Sequence, residues 1–184
     1  MPRVLALLVL VVVGVAFPAS AVAQTSSTGG AQFSDSDPAP IVAPGSKATL
    51  LPDGTAAAPA DAPPQVQAAI FAANKLLDKP YKYGGGHAKV EDSGYDCSGT
   101  VSYALLAAKL ITSPLDSSSF MRWGDRGKGQ WITIYTNPGH AYAVIAGLRL
   151  DTSAAGDPSG AKGPRWRPTL RSSRGFRARH PEGL

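Results

Sequence analysis

Apolar residues run along this chain in three successive rhythms. Val4 to Phe17 is a continuous apolar stretch broken only by Gly14. From Val66 the apolar positions fall at helical spacing: Val66, Ile70, Ala73 and Leu77, with Phe71 and Leu76 widening the stripe. A second helical stripe follows in Val101, Ala104, Leu105, Ala108 and Leu110. After Gly129 the period changes. Gln130 to Tyr135 is rich in β-branched and aromatic residues and predicts a strand, Thr136-Asn137-Pro138-Gly139 a turn, His140 to Ala146 a second strand, Gly147 a tight turn, and Leu148 to Ser153 a third strand. Helices followed by an antiparallel meander predict an α+β fold with a helix packed on one sheet face.

Punctuation sharpens these elements. Asp61 is the expected cap of the first helix, with Pro63 and Pro64 in its opening turn, where a missing N–H is harmless. Pro80 stops that run, and Gly84-Gly85-Gly86 then marks backbone in unusual conformations or in close approach to a neighbour. Asp96 is well placed to cap the second helix. Residues 112–129 read as a long loop with Phe120, Met121 and Trp123 as isolated large groups; loops of that length in compact domains are often functional.

The N-terminus has the form of a secretory signal: Arg3, the apolar run, then small residues at Ala21-Val22-Ala23, which places the signal at 1–23 and the mature start near Gln24. Nothing later is apolar for long enough to span a bilayer, so no stable membrane insertion is expected. Residues 24–60 are dominated by Ser, Thr, Gly, Ala, Pro and Asp and predict a flexible leader, with Ala48 to Gly54 as a short extended piece and turn on the domain edge. Residues 61–184 form the one folded domain.

The net charge of +5 is unevenly spread. Residues 24–160 carry 10 Lys and Arg against 12 Asp and Glu, whereas 161–184 carry 7 against 1. The basicity thus belongs to a C-terminal extension holding Lys162, Arg165, Arg167, Arg171, Arg174, Arg177 and Arg179. For an exported protein this points away from nucleic acid and towards anionic wall polymers or lipid head groups, or to a solvated tail without a dedicated ligand. Trp166 and Phe176 argue that the extension packs rather than trails.

One position carries the chemistry. Cys97 is the single cysteine, so it has no internal disulfide partner, and it lies where the second helix begins. Unpaired N–H groups and the dipole at a helix start stabilise a thiolate, which makes such a cysteine a nucleophile near neutral pH. It then needs a base and a group that orients the base. Only His87, His140 and His180 are available; on spacing any of them reaches Cys97, and His140 is favoured because it opens a strand. One cysteine and three histidines are too few for a cysteine-rich zinc site, and the chemistry requires no metal and no organic cofactor.

Pro80-Tyr81-Lys82-Tyr83-Gly84-Gly85, then Asp96-Cys97-Ser98-Gly99, then Gly139-His140 before an apolar strand, resembles in order and spacing the NlpC-type family of papain-like cell-wall cysteine peptidases, over about residues 64–153. The resemblance implies a papain-like core with N-terminal helices packed on an antiparallel sheet, Cys97 as nucleophile and His140 as base. It implies hydrolysis of peptide bonds in peptidoglycan stem peptides, often between γ-D-glutamyl and a diamino acid, by a secreted, wall-associated enzyme. Tyr83, Asp96 and Ser98 would line the substrate cleft, with Asp96 able to bind a free amine, and His87 would either join them or close a loop. The family's third polar residue falls on the next strand, where the candidate is Asp151; an aspartate can hold an imidazole in the right tautomer, and it can equally pair with Arg149 or an arginine of the extension. Lys128-Gly129-Gln130-Trp131 replaces the family's acidic turn, and the segment beyond Asp157 has no counterpart. Two other readings use the same residues: a wall-binding module without catalysis, and an amidase or acyltransferase working on another acyl group.

Overall fold

A computed structural model describes residues 40–184. The expected signal at 1–23 and the first part of the expected leader lie outside the described residues. Three short strands, β1 (Val42–Ala43), β2 (Thr49–Leu50) and β3 (Ala56–Pro59), come first, and β3 is the centre of their sheet. The described part of the expected leader, residues 40–60, is thus built into a small sheet. Ala56, Ala57 and Ala58 are fully buried, because small side chains let the strand lie close to the helix that follows. Composition suggested disorder, but alanine counts as apolar once a neighbour covers it.

That helix is α1 (Pro64–Asn74), and its buried side is Val66, Ala69, Ile70 and Ala73. Its N-cap residue is Pro63 and no side chain caps it, so Asp61 does not take the capping role expected of it. The helix ends at Asn74, whose buried amide clasps three parts of the chain. Its Nδ2 donates to the Ala56 carbonyl, and its Oδ1 accepts from the Ala56 N–H, each at 2.9 Å, and from the Trp166 indole N–H at 2.8 Å. A buried amide is tolerated at a helix end when its polar atoms are bonded in this way.

The second helix, α2 (Cys97–Ala107), is buried from Cys97 through Leu105 and lies against α1 and the sheet. The loop after it is more structured than its composition implied: α3 (Ser117–Phe120) buries Phe120 completely, and β4 (Asp125–Arg126) joins the sheet.

The main sheet is wider than the expected three-stranded meander. It holds β4, β5 (Ile132–Asn137), β6 (His140–Ile145), β7 (Leu148–Leu150), β8 (Trp166–Arg167) and β9 (Arg177–His180), in spatial order β4-β9-β5-β6-β7-β8, with every pairing antiparallel. The C-terminal extension therefore supplies one edge strand and fills the gap between β4 and β5. Ile132, Ile134, Ala143, Ile145 and Leu150 face the helices and form the core with Val101, Ala104, Leu105 and Ile70. Residues Tyr135, Tyr142 and His140 alternate onto the opposite face. Ala146 and Gly147, both at positive φ, make the two-residue turn between β6 and β7 and set the register Ala143↔Leu150. The architecture is α+β. No helix among the described residues is long and apolar enough to cross a membrane.

Candidate active site

Cys97 is the first residue of α2 and is 9% exposed. The helix starts there because Asp96 caps it: the Asp96 Oδ1 accepts from the Gly99 N–H at 2.7 Å, and its carbonyl accepts from the Thr100 N–H. A helix's first N–H groups have no intrahelical acceptor, so the Cys97 N–H stands beside its own sulfur as a donor for an oxyanion.

Of the three histidines, the structure brings His140 to Cys97. The His140 ring and the Ala141 N–H are the groups that draw the thiol towards its ionised form. The other side of that ring faces Asp151, with His140 Nε2 2.9 Å from Asp151 Oδ1, so Nδ1 is the nitrogen left for the sulfur. Asp151 follows directly on β7, and its side chain is fully buried. His87 and His180 are engaged elsewhere: His180 Nδ1 lies 3.2 Å from the Gly127 carbonyl, and His87 belongs to the cluster around Asp96.

Electrostatics couple the three groups. Burial alone would push the Cys97 thiol up, but the hydrogen bonds from His140 and the Ala141 N–H and the imidazolium charge outweigh it and hold the thiol below its ordinary value. Burial alone would push His140 down; the bonds to Asp151 and Cys97 reverse this and raise it from 6.5 to about 9. Burial would likewise raise Asp151, yet His140, the Ser153 N–H and Arg149 hold it below the usual carboxylate range. The arrangement favours a thiolate–imidazolium pair backed by a carboxylate.

Asp151 also meets the arginines that its sequence context offered. Arg171 Nη1 donates to its Oδ2 at 3.2 Å, and Arg149 Nε lies 3.6 Å from the same oxygen. Arg149 is fully buried, and its Nε and Nη1 make no hydrogen bond. Arg167 Nε donates to the Asp151 carbonyl at 3.0 Å, while its Nη1 pairs with Asp157 at 2.6 Å. Much of the basic extension is thus spent inside the fold, and Lys162, Arg174 and Arg177 are its exposed cations.

Asp96, Ser98 and His87 form a second cluster beside the thiol. Asp96 Oδ1 accepts from Ser98 Oγ at 3.1 Å and lies 3.0 Å from His87 Nε2, and its Oδ2 accepts from the Gly84 N–H at 3.0 Å. The carboxylate is therefore occupied in pinning the glycine-rich loop to α2. Gly85 and Gly99 meet at this junction, where a Cβ on Gly99 would collide with the Gly85 carbonyl oxygen.

These residues wall an open cleft of about 400 Å³, lined by Tyr81, Tyr83, Gly84, His87, Asp96, Cys97 and Ser98 on one side and by Asp116, Ser117, Ser118, Pro138 and Gly139 on the other. Tyr83 is 91% exposed on the rim. Tyr81, Asp116, Arg171 and Phe176 were not among the sequence candidates. Tyr81 lies close enough that, after burial, the charges of Cys97 and Asp96 raise its phenol. Asp116 carried a readable signal as the cap of α3, with its Oδ1 accepting from the Ser119 N–H at 2.7 Å. Phe176 and Arg171 reach the site by long-range folding, which no local spacing encodes. Among the described residues no group of three or more His, Cys, Asp or Glu could hold a metal ion.

The chain matches no protein-family model and no curated protein.

Proposed function

We propose that this protein is an exported cysteine hydrolase of the papain-like NlpC type that cleaves peptide bonds in peptidoglycan stem peptides, of the γ-D-glutamyl–diamino acid kind. The observation that carries the reading is the His140–Asp151 pair acting on Cys97, which lines an open cleft. A binding module has no use for a thiol drawn below its ordinary value at a helix start, or for a buried carboxylate behind its histidine.

The chemistry follows from the geometry. The Cys97 thiolate attacks the scissile carbonyl carbon while the Cys97 N–H donates to the developing oxyanion. The imidazolium then gives its Nδ1 proton to the leaving amine, the C–N bond breaks, and an acyl-thioester remains. His140, now neutral, takes a proton from water, and the resulting attack on the thioester releases the acid and returns the thiolate–imidazolium pair. Asp151 holds Nε2 protonated throughout, so that Nδ1 always faces the sulfur.

An open cleft rimmed by Tyr81 and Tyr83 suits an extended peptide rather than a compact ligand. With Asp96 saturated by internal donors, Asp116 is the more available carboxylate for a substrate ammonium. Secretion and wall association complete the proposal. The exposed Arg177 lines a groove with Arg126 and Ala178 that suits an anionic wall polymer.

The test is incubation of the purified protein, and of Cys97→Ala, with muropeptides. Release of new amine termini by the wild type alone is the expected result. Intact muropeptides, with both proteins still binding whole sacculi, would replace the enzyme with the wall-binding module. Turnover only of other amide or ester substrates would replace the peptidase with an amidase or acyltransferase.

A further inference from the structure

We propose that the segment 171–176 of the C-terminal extension is a working part of the reaction centre, in which Arg171 positions Asp151 and Phe176 shields His140 from water. This rests on the cysteine-hydrolase reading above, and it gives a role to a stretch that the sequence left unassigned.

The segment lies over the sheet face opposite the hydrophobic core, where Tyr135 and Tyr142 stack across strands with ring centroids 5.0 Å apart. Its two ends are anchored by side chains, and its middle is held by the Asn137 amide on the Gly175 carbonyl and by a local turn. At one end Arg171 Nη1 donates to Asp151 Oδ2, and its guanidinium carbon lies 5.3 Å from the Tyr142 ring centroid and 5.2 Å from that of Phe176. At the other end Phe176 meets the Tyr142 ring at 5.2 Å and the His140 ring edge-on at 6.2 Å. Residues 172–175 between them are exposed. Both anchors therefore fall on the pair that activates Cys97.

A carboxylate can orient an imidazole only if its own rotation is blocked. Asp151 Oδ1 is fixed by His140 Nε2 and by the Ser153 N–H at 2.8 Å. Oδ2 has Arg171 at hydrogen-bond distance and Arg149 only at 3.6 Å. Without Arg171 that oxygen keeps only the longer contact with Arg149, and the carboxylate is held in place through Oδ1 alone. The groups facing Arg171 are Asp151, Tyr142, Phe176 and Arg149; guanidinium groups stay protonated across the working range, so this restraint does not titrate. Phe176 adds an apolar cover beside the His140–Asp151 bond, which strengthens a charged hydrogen bond by excluding water.

The test uses the full chain with Arg171→Met, Arg171→Lys and Phe176→Leu, each checked for folding by circular dichroism. Two readouts are taken: carboxamidomethylation of Cys97 by iodoacetamide as a function of pH, which needs no substrate, and muropeptide hydrolysis. Arg171→Met is expected to narrow the pH range over which Cys97 alkylates fast and to lower kcat about tenfold or more, with KM within about twofold. Arg171→Lys should recover most of both, and Phe176→Leu should shift them in the same direction to a smaller extent. A folded Arg171→Met with the wild-type alkylation profile overturns the proposal and leaves the segment a simple tether. If Arg171→Met does not fold, an unchanged profile in Phe176→Leu does the same. A wild type that leaves muropeptides intact, while these variants still shift the alkylation profile, removes the substrate assignment and keeps the positioning role.

Discussion

His140 Nε2 and Asp151 Oδ1 lie 2.9 Å apart, the histidine opening β6 and the aspartate just past the end of β7, with the carboxylate wholly buried and the imidazole partly exposed. Asp151→Asn keeps the shape and removes the charge. On the proposed hydrolase reading, turnover should fall by roughly 10⁴, as when a triad aspartate loses its charge. Arg149 would then be a buried cation without its carboxylate, so unfolding stability should drop by about 3 kcal/mol. Denaturant melts and single-turnover rates on the same sample separate the two losses.

Cys97→Ala should abolish turnover while the fold stays intact. The change is small in volume and helix-compatible, at the first residue of α2 and outside the main core cluster. Thermal unfolding within a few degrees of wild type, with no release of amine termini, is the expected pair of results.

The thiol should react at a lower pH than an ordinary one. Alkylation of Cys97 is expected to be fast below pH 9 and to move back towards the range of a free thiol in His140→Ala, because the bond and charge that hold the thiol down come from that ring. Mass spectrometry of iodoacetamide adducts across pH 5–10 reads this directly, and identical profiles for the two proteins would refute the pairing.

Stability should carry a matching signature. His140 is raised from 6.5 to about 9 by folding, so its contribution is complete below 6.5 and is lost as pH climbs towards 9. Asp151 is held low, so its contribution is present above the unfolded carboxylate range and is lost as pH falls from there through its own lower folded value. Melting temperatures of wild type and His140→Gln should diverge least at the alkaline end of that interval.

Two glycines near the site should answer differently to alanine. In Gly99→Ala the new Cβ meets the Gly85 carbonyl, so the glycine loop must lift from α2, and both stability and activity should fall. In Gly139→Ala, next to His140, the nearest atom is Asn137 Oδ1 at 3.8 Å, an ordinary contact, and little should change. Parallel thermal melts and turnover assays decide between them.

How much of this the sequence discloses depends on the range of the interactions. The α2 start, its Asp96 cap, the β5–β6 pair and the helical core stripes follow from local periodicity and capping chemistry, and the structure places them within a few residues of expectation. Asp151 could be named but not chosen among partners; the structure gives it His140, Arg149 and Arg171 together. Strand β9 was hidden because Arg177-Ala178-Arg179-His180 has no apolar alternation, and its place between β4 and β5 is decided by distant segments. The alanine strand β3 was hidden for the opposite reason: its burial needs only small volume, which composition reads as linker.

The two-residue turn at Ala146-Gly147 acts as the ruler of this site. Strand side chains alternate, so one residue added between β6 and β7 would slide every position of β7 to the other face and send Asp151 away from His140. The same residue added among the exposed positions 158–160 would change no strand register. Chain length therefore decides the His140–Asp151 pairing at one turn and leaves it alone in the exposed loop beyond, which marks where this scaffold can be lengthened or grafted without undoing that pair.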